Sequence, residues 1–189
     1  MTTPPLLRVL RRTIDALDRA GNRYAVLGGF AVRHWGIPRP TYDLDVAVAV
    51  GGEGVRPLLA VLDAAGFEIP EEHARGFLDT IAGMSKFTVR RLEAGSLWEV
   101  DCFVASTPFL RSALKRTVPV TLQGRTVPIL AAEDILLLKV LASRRKDLAD
   151  AEEILAVVGS LDLVRMRRWA DRLGVRGRLE RVLREADRA

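Results

Sequence analysis

Apolar positions along the chain change period several times, and each change marks an element. Leu6, Leu10, Ile14 and Leu17 fall on one stripe at helical spacing, which predicts an amphipathic helix over 6–20 stopped by Gly21. Residues 24–27 form a short apolar run, read as a buried strand that enters Gly28-Gly29. A helix over about 30–35 follows, closed by Gly36, and the segment 37–42, with Pro38 and Pro40, is a turn or loop. Residues 43–50 are strongly β-type and end at Gly51-Gly52. Residues 55–65 read as a returning helix with Gly66 as its C-cap.

Further on, 84–92 and 97–104 read as a hairpin around 93–96, and 116–122 with 125–129 as a second hairpin across Gln123-Gly124. From 131 the pattern turns helical, over 131–142, 146–158, 161–173 and 176–186. Strands interleaved with helices, then helices alone, predict an α+β (mixed α/β) fold. A small mixed sheet flanked by helices would occupy 1–130, and a C-terminal helical region 131–189.

Composition narrows the class. The 189 residues are 49% apolar and 28% charged, which is enough for a sizeable core and excludes a largely disordered chain. One cysteine, Cys102, excludes an internal disulfide framework and a cysteine zinc cage, and fits a reducing compartment. Two histidines, His34 and His73, exclude a histidine-rich metal site. Apolar runs such as 135–138 fall far short of the ~20 residues of a membrane helix. The opening residues do not read as a secretory signal, because Arg11-Arg12 follow a very short apolar stretch. A soluble, cytoplasmic protein with no membrane partner is therefore expected. The net charge of +5 is uneven: residues 161–189 hold nine arginines against five acids. Such an end either attracts a polyanion, RNA above all, or simply solvates its own helices.

The most informative segment is Asp43-Leu44-Asp45-Val46-Ala47-Val48. Alternate side chains of a strand share a face, so Asp43 and Asp45 project together, opposite Leu44, Val46 and Val48. Two adjacent carboxylates repel unless a cation lies between them, and hard oxygens of this kind suit Mg²⁺. The alternative is a solvated strand end. Upstream, Gly28 and Gly29 would let backbone N–H groups and a helix N-terminus approach a phosphate, unless they form only a tight turn. Arg39 and Thr41 add a cation and a hydroxyl ahead of the carboxylates. On a neighbouring strand, Glu99 and Asp101 share a face opposite Trp98, Val100 and Cys102. Asp101, flanked by apolar residues, needs a partner, a metal or a proton, and its alternative is a buried salt bridge to an arginine. Three carboxylates around Mg²⁺, beside a glycine-held triphosphate, form an arrangement for nucleotidyl transfer. Ser143 and Ser160 lack a nearby His–Asp arrangement, and the histidines read as structural or solvated. The three tryptophans read as core or packing residues, although Trp169, amid arginines, could stack a base.

The run Gly28-Gly29-Phe30-Ala31, continued by Gly36-Ile37-Pro38-Arg39-Pro40-Thr41-Tyr42-Asp43-Leu44-Asp45, resembles the first motif of the DNA polymerase beta-like nucleotidyltransferase superfamily. In particular it is similar to the AbiEii-type toxin branch of type IV toxin–antitoxin systems. The stretch 132–139, Ala-Glu-Asp-Ile-Leu-Leu-Leu-Lys, and the stretch 144–150, Arg-Arg-Lys-Asp-Leu-Ala-Asp, also resemble that branch. The resemblance spans roughly 20–158. It implies a minimal nucleotidyltransferase core over 1–130, with the helices of 131–189 completing the pocket. Gly28, Gly29, Arg39, Thr41, Lys146 and Asp147 would bind the nucleotide, and Asp43, Asp45 and Asp101 would bind Mg²⁺. Asp101 could also serve as general base, and Lys139 would neutralise phosphate charge. Lys139 could otherwise be a helix-surface lysine, and Lys146-Asp147 a helix start.

The expected reaction moves an NMP from an NTP to an acceptor hydroxyl and releases pyrophosphate. The resemblance and the basic tail favour RNA, with the tRNA acceptor end as the expected site and an antitoxin protein as neutralising partner. Two alternatives remain: transfer to a small hydroxyl compound, as in antibiotic-modifying enzymes, and a non-catalytic nucleotide-binding or interaction module.

Overall fold

The computed structural model describes residues 4–38, 40–122 and 124–186. Its strands are β1 (Tyr24–Leu27), β2 (Leu44–Val48), β3 (Asp79–Ile81), β4 (Met84–Glu93), β5 (Ser96–Val104), β6 (Val118–Leu122) and β7 (Arg125–Ile129). They form one mixed sheet in the order β3-β4-β5-β2-β1-β7-β6. Two parallel pairs, β2 with β5 and β1 with β7, sit among antiparallel ones. The mixed α/β sheet flanked by helices is the expected fold class.

Helix α1 (Pro5–Arg19) carries the stripe read from the sequence, with Leu6, Leu10, Ile14 and Leu17 all buried. Together with α3 (Arg56–Ala64) it covers one face of the sheet, where Leu44, Val46 and Val48 of β2 meet Val100, Cys102 and Val104 of β5. The opposite face carries Ala25, Leu27, Ala47 and Phe103, under α5 (Pro108–Ala113), α6 (Ala132–Ala142), α7 (Arg145–Val157), α8 (Leu163–Arg172) and α9 (Arg176–Ala186). Helix α6 is apolar nearly all round and is buried from Ala132 to Val140 except at Glu133, as befits a helix packed on several sides. Within that helix Asp134, fully buried, pairs with Arg165 of α8 at 3.0 Å. Among the described residues, no helix is long and apolar enough to cross a membrane.

Several elements depart from the sequence reading. Helix α2 (Gly28–Trp35) starts two residues before the expected 30, because Gly28 takes a left-handed φ of 62° that turns the chain straight from β1 into the helix. Strand β2 starts one residue after Asp43, a boundary difference of the ordinary size. Three short elements, α4 (Glu71–Ala74), β3 and α5, stand where no period was legible. Each is six residues or fewer, too short to repeat a pattern. Trp169 is buried between Phe109, at a ring distance of 5.4 Å, and the guanidinium groups of Arg165 and Arg172. Its face is occupied by its own neighbours and is not available to a base.

Candidate active site

The alternation of β2 decides where its acids go. Leu44, Val46 and Val48 fill the core under α1 and α3, so Asp45 faces the other side, and Asp43 stands just before the strand. The parallel pairing of β2 with β5 sets Asp101 directly opposite Asp45. The antiparallel pairing of β1 with β2 sets Leu27, the residue before Gly28, opposite Asp45 on its other side. A side chain on Gly28 would place its Cβ 1.8 Å from Asp45 Oδ2, so the glycine is what makes room for that carboxylate. A Cβ on Gly29 would lie 2.7 Å from the Thr41 hydroxyl oxygen. That hydroxyl donates to the Asp43 carbonyl at 3.3 Å and so ties the loop before β2 to its first acid.

These groups line one cavity of about 220 Å³. It contains Gly28, Gly29, Thr41, Asp43, Asp45, Asp101, Lys139, Lys146 and Asp147, all singled out in the sequence. Arg39 lies outside the described residues. The apolar wall of Ile81, Met84, Phe103, Ile135 and Leu138 was not foreseen. A larger hollow of about 460 Å³ beside α1 offers no comparable chemistry, because its two acids, Asp15 and Glu93, are paired to Arg125 and Arg8.

The electrostatics of the cavity are those of crowded acids held by fixed cations. Burial raises the Asp45 carboxyl from the ordinary 3.8 to about 6, with Asp101 and Asp43 pushing the same way and Lys139 and Lys86 opposing. Asp101 is held on both oxygens: Oδ1 accepts from the Thr88 hydroxyl at 2.6 Å, and Oδ2 accepts from the Lys86 ammonium at 2.6 Å. Its partner is thus a lysine on the adjacent strand, not the arginine considered as an alternative. Neither Lys86 nor Thr88 was singled out, yet the hairpin carried the signal. With the turn at 93–96, the antiparallel register places Thr88 opposite Asp101, and Lys86 lies on the same face two residues along.

Lys139 is not a helix-surface lysine. Its ammonium is buried and bridges Asp147 at 2.9 Å and Asp150 at 2.7 Å, which locks α6 to α7. Asp147 Oδ2 is buried without a hydrogen-bond partner and stands at the cavity wall. Arg144 and Lys146 line the mouth and are exposed, and among the described residues neither has an ion-pair partner. Among the described residues, no three acidic, histidine or cysteine side chains converge closely enough to hold a metal ion by themselves.

The basic tail is largely consumed by the fold. Arg165 pairs with Asp134, Arg167 and Arg176 share Glu180, and Arg178 donates to the last carbonyls of α6. Arg172 lies over the Trp169 ring.

No protein-family model matches the chain, and no curated protein sequence matches it. Solved structures do. An antigenic nucleotidyltransferase-like protein from Paracoccidioides brasiliensis is 20% identical, with a TM-score of 0.54, covering 93% of this chain and 91% of its own. ANT(2″)-Ia, in complex with adenylyl-2″-tobramycin, is 15% identical with a TM-score of 0.57, covering 87% and 96%. The solution structure of the same antibiotic-resistance factor covers 97% of this chain and 98% of its own, at the same TM-score. The fold is that of the nucleotidyltransferases. In this nucleotidyltransferase-like fold the carboxylate-lined cavity lies between the sheet and α6–α7. The likenesses concern the fold as a whole and do not single out the toxin branch.

Proposed function

We propose that the protein is an Mg²⁺-dependent nucleotidyltransferase that moves an NMP from an NTP to an acceptor hydroxyl. One observation carries the reading: Asp43, Asp45 and Asp101 share a single cavity with Gly28-Gly29, and Gly28 is the residue that leaves room for Asp45. The donor set fits Mg²⁺, since it consists of hard carboxylate oxygens whose mutual repulsion, visible in the raised Asp45 carboxyl, a cation relieves. Asp43 and Asp45 would hold the ion, with Asp101 as the third carboxylate beside them. Two carboxylates completed by substrate phosphates are a usual Mg²⁺ shell, so the lack of a ready-made cluster of three is no obstacle. When bound, the ion would neutralise charge building on the α-phosphate and on the departing pyrophosphate.

The chain's own groups supply the rest. The first turn of α2 has no side-chain cap, so its N–H groups are open to phosphate oxygens next to the two glycines. Arg144 and Lys146 meet the triphosphate at the mouth, and Lys139 holds Asp147 and α7 in place. Asp101 takes the proton of the acceptor hydroxyl. The hydroxyl oxygen then forms a bond to the α-phosphorus, the bridging P–O bond to the β-phosphate breaks, and pyrophosphate leaves. The apolar wall keeps competing water from the nucleotide.

For the acceptor we favour RNA of the tRNA kind, because Arg144 and Lys146 are exposed at the cavity mouth and Arg145, also exposed, lies between them in sequence. Transfer to tRNA would block translation and so require a neutralising antitoxin protein in the same cytoplasm, as in the toxin branch that the motifs resemble. The engaged tail arginines favour a second acceptor, a small hydroxyl compound, which needs no extended basic surface. The near full-length likeness to ANT(2″)-Ia supports that second reading. Incubation with Mg²⁺ and each α-labelled NTP, with total RNA or with a panel of aminoglycosides, separates the two, and Asp43→Ala is the control. Label in a tRNA-sized band supports the first acceptor, and label on an aminoglycoside the second. No Asp43-dependent label on any acceptor would leave a nucleotide-binding module.

A further inference from the structure

The acids of the cavity are not equivalent. Asp45 is crowded by its neighbours, whereas Asp101 already has a hydrogen bond on each oxygen. Lys86 Nζ lies 2.6 Å from Asp101 Oδ2 and 3.4 Å from the Thr88 hydroxyl, and its side chain is only 13% exposed. The sheet fixes this arrangement. Thr88 pairs with Asp101 across β4–β5, Asp101 with Asp45 across β5–β2, and Lys86 lies one pleat along from Thr88. Lys86 therefore sits on the far side of Asp101 from Asp45, held by backbone ladders and not by a mobile loop.

We propose that Lys86 is a built-in cation that takes the place of a second divalent ion at Asp101. The protein then binds one divalent ion per nucleotide, on Asp43, Asp45 and the phosphates, and Asp101 is a base and not a ligand. The proposal rests on the nucleotidyltransferase reading above. The charges agree with it: an ammonium against Asp101 satisfies that carboxylate, whereas among the described residues Asp43 and Asp45 have no ion-pair partner in direct contact. A second divalent ion at Asp101 would also face the Lys86 ammonium within a few ångströms, a like-charge contact in a partly enclosed site. Lys86 is a positioning residue: it holds one oxygen of Asp101 in place, while Thr88 fixes the other. Each carboxylate oxygen retains a lone pair for the acceptor's proton.

The test uses Mn²⁺ as the probe, counted by electron paramagnetic resonance and calorimetry. The whole protein is saturated with NTP analogues that carry a methylene bridge between the α and β phosphates. Wild type is expected to take up one Mn²⁺ per bound nucleotide, Lys86→Met two, and Lys86→Arg one. Asp101→Asn, which does not depend on how Lys86→Met folds, is expected to keep the single ion with affinity within about threefold of wild type. Two ions in wild type, one in a folded Lys86→Met, or loss of the ion in Asp101→Asn would each overturn the proposal and leave the nucleotidyltransferase reading standing. No nucleotide-dependent Mn²⁺ binding to wild type would overturn both.

Discussion

Asp45→Asn separates what the cavity is built for from what the fold would prefer. The Asp45 carboxyl is raised from 3.8 to about 6, first by burial and then by Asp101 and Asp43. Its folded-state value lies above its unfolded one, so the folded protein binds this proton more tightly. The ionised form therefore penalises the fold fully above about pH 6, and the penalty fades as pH falls through 6 towards 3.8. Its full size is about 3 kcal/mol at pH 8, falling to about 0.5 kcal/mol at pH 4. Asparagine keeps the size and removes the charge. The metal-free variant should therefore be more stable than wild type at pH 8, by roughly 1–3 kcal/mol once the desolvated amide is allowed for. At pH 4 the variant's advantage should be smaller by about 2.5 kcal/mol, whatever the amide costs, because that cost is the same at both pH values. Urea unfolding of both proteins at the two pH values, without divalent ions, measures this directly. Equal differences at pH 8 and pH 4, or a variant less stable at pH 8 than at pH 4 relative to wild type, would refute the electrostatic account. Adding Mg²⁺ with nucleotide should then stabilise wild type and leave the variant unchanged, since only wild type keeps both ion-binding acids.

The glycine pair gives a graded test. Gly28→Ala puts a methyl group in left-handed backbone and onto Asp45 Oδ2, so a loss of about 2 kcal/mol or more is expected, together with loss of nucleotide-dependent thermal stabilisation. Gly29→Ala meets the Thr41 side chain, its hydroxyl at 2.7 Å and its Cβ at 3.3 Å, without a left-handed backbone, and should be milder in both readouts; the reverse order would contradict the cradle. Lys139→Met leaves Asp147 and Asp150 without the ammonium they share, and urea unfolding should show a loss of about 3–5 kcal/mol. A stability within 1 kcal/mol of wild type at pH 8 would show that those carboxylates find other compensation. Cys102 is buried with its thiol pushed up by burial and by Asp101 and Asp45, so it should resist an aromatic disulfide reagent at pH 8 and react at once in denaturant. Fast labelling of the native protein would place the thiol elsewhere.

How much of this site was legible follows from the range over which each signal acts. The shared face of Asp43 and Asp45 is a property of a single strand, and the apolar partners Leu44, Val46 and Val48 declare which face is buried. The contact of Thr88 with Asp101 needed one step more, since the hairpin turn fixes the register and the register fixes the pair. The meeting of Asp45 with Asp101 was legible only as an expectation. β2 and β5 are parallel, and parallel neighbours are joined through a long crossover whose register no turn sets. Nor does the sequence distinguish a lysine that meets phosphate from one that locks two helices. Lys139 lies on a nearly all-apolar helix, and its two acids come from the next one.

The arginine-rich end shows the same limit, and it bears on function. A charge count treats the arginines of 161–189 alike, and as a group they predict affinity for a polyanion. Once folded they divide. Arg165 answers a fully buried Asp134, Arg167 and Arg176 converge on Glu180, Arg178 closes the end of α6, and Arg172 stacks on Trp169. Each of these pairs with an acid of the fold, satisfies an open helix end or covers a ring. Among the described residues, the tail's remaining charge is carried by Arg168, Arg181 and Arg184 on the outer surface, whereas Arg144 and Lys146 line the cavity with the exposed Arg145 between them in sequence. Only the second group lies where a reacting hydroxyl must come. Selectivity for RNA over a small acceptor should therefore respond to neutralising Arg144, Arg145 and Lys146. It should be nearly indifferent to neutralising Arg181 and Arg184. Competition between the two acceptors in each triple or double glutamine variant measures that contrast. An acceptor preference that moved with the tail, and not with the cavity edge, would transfer the recognition surface to α9.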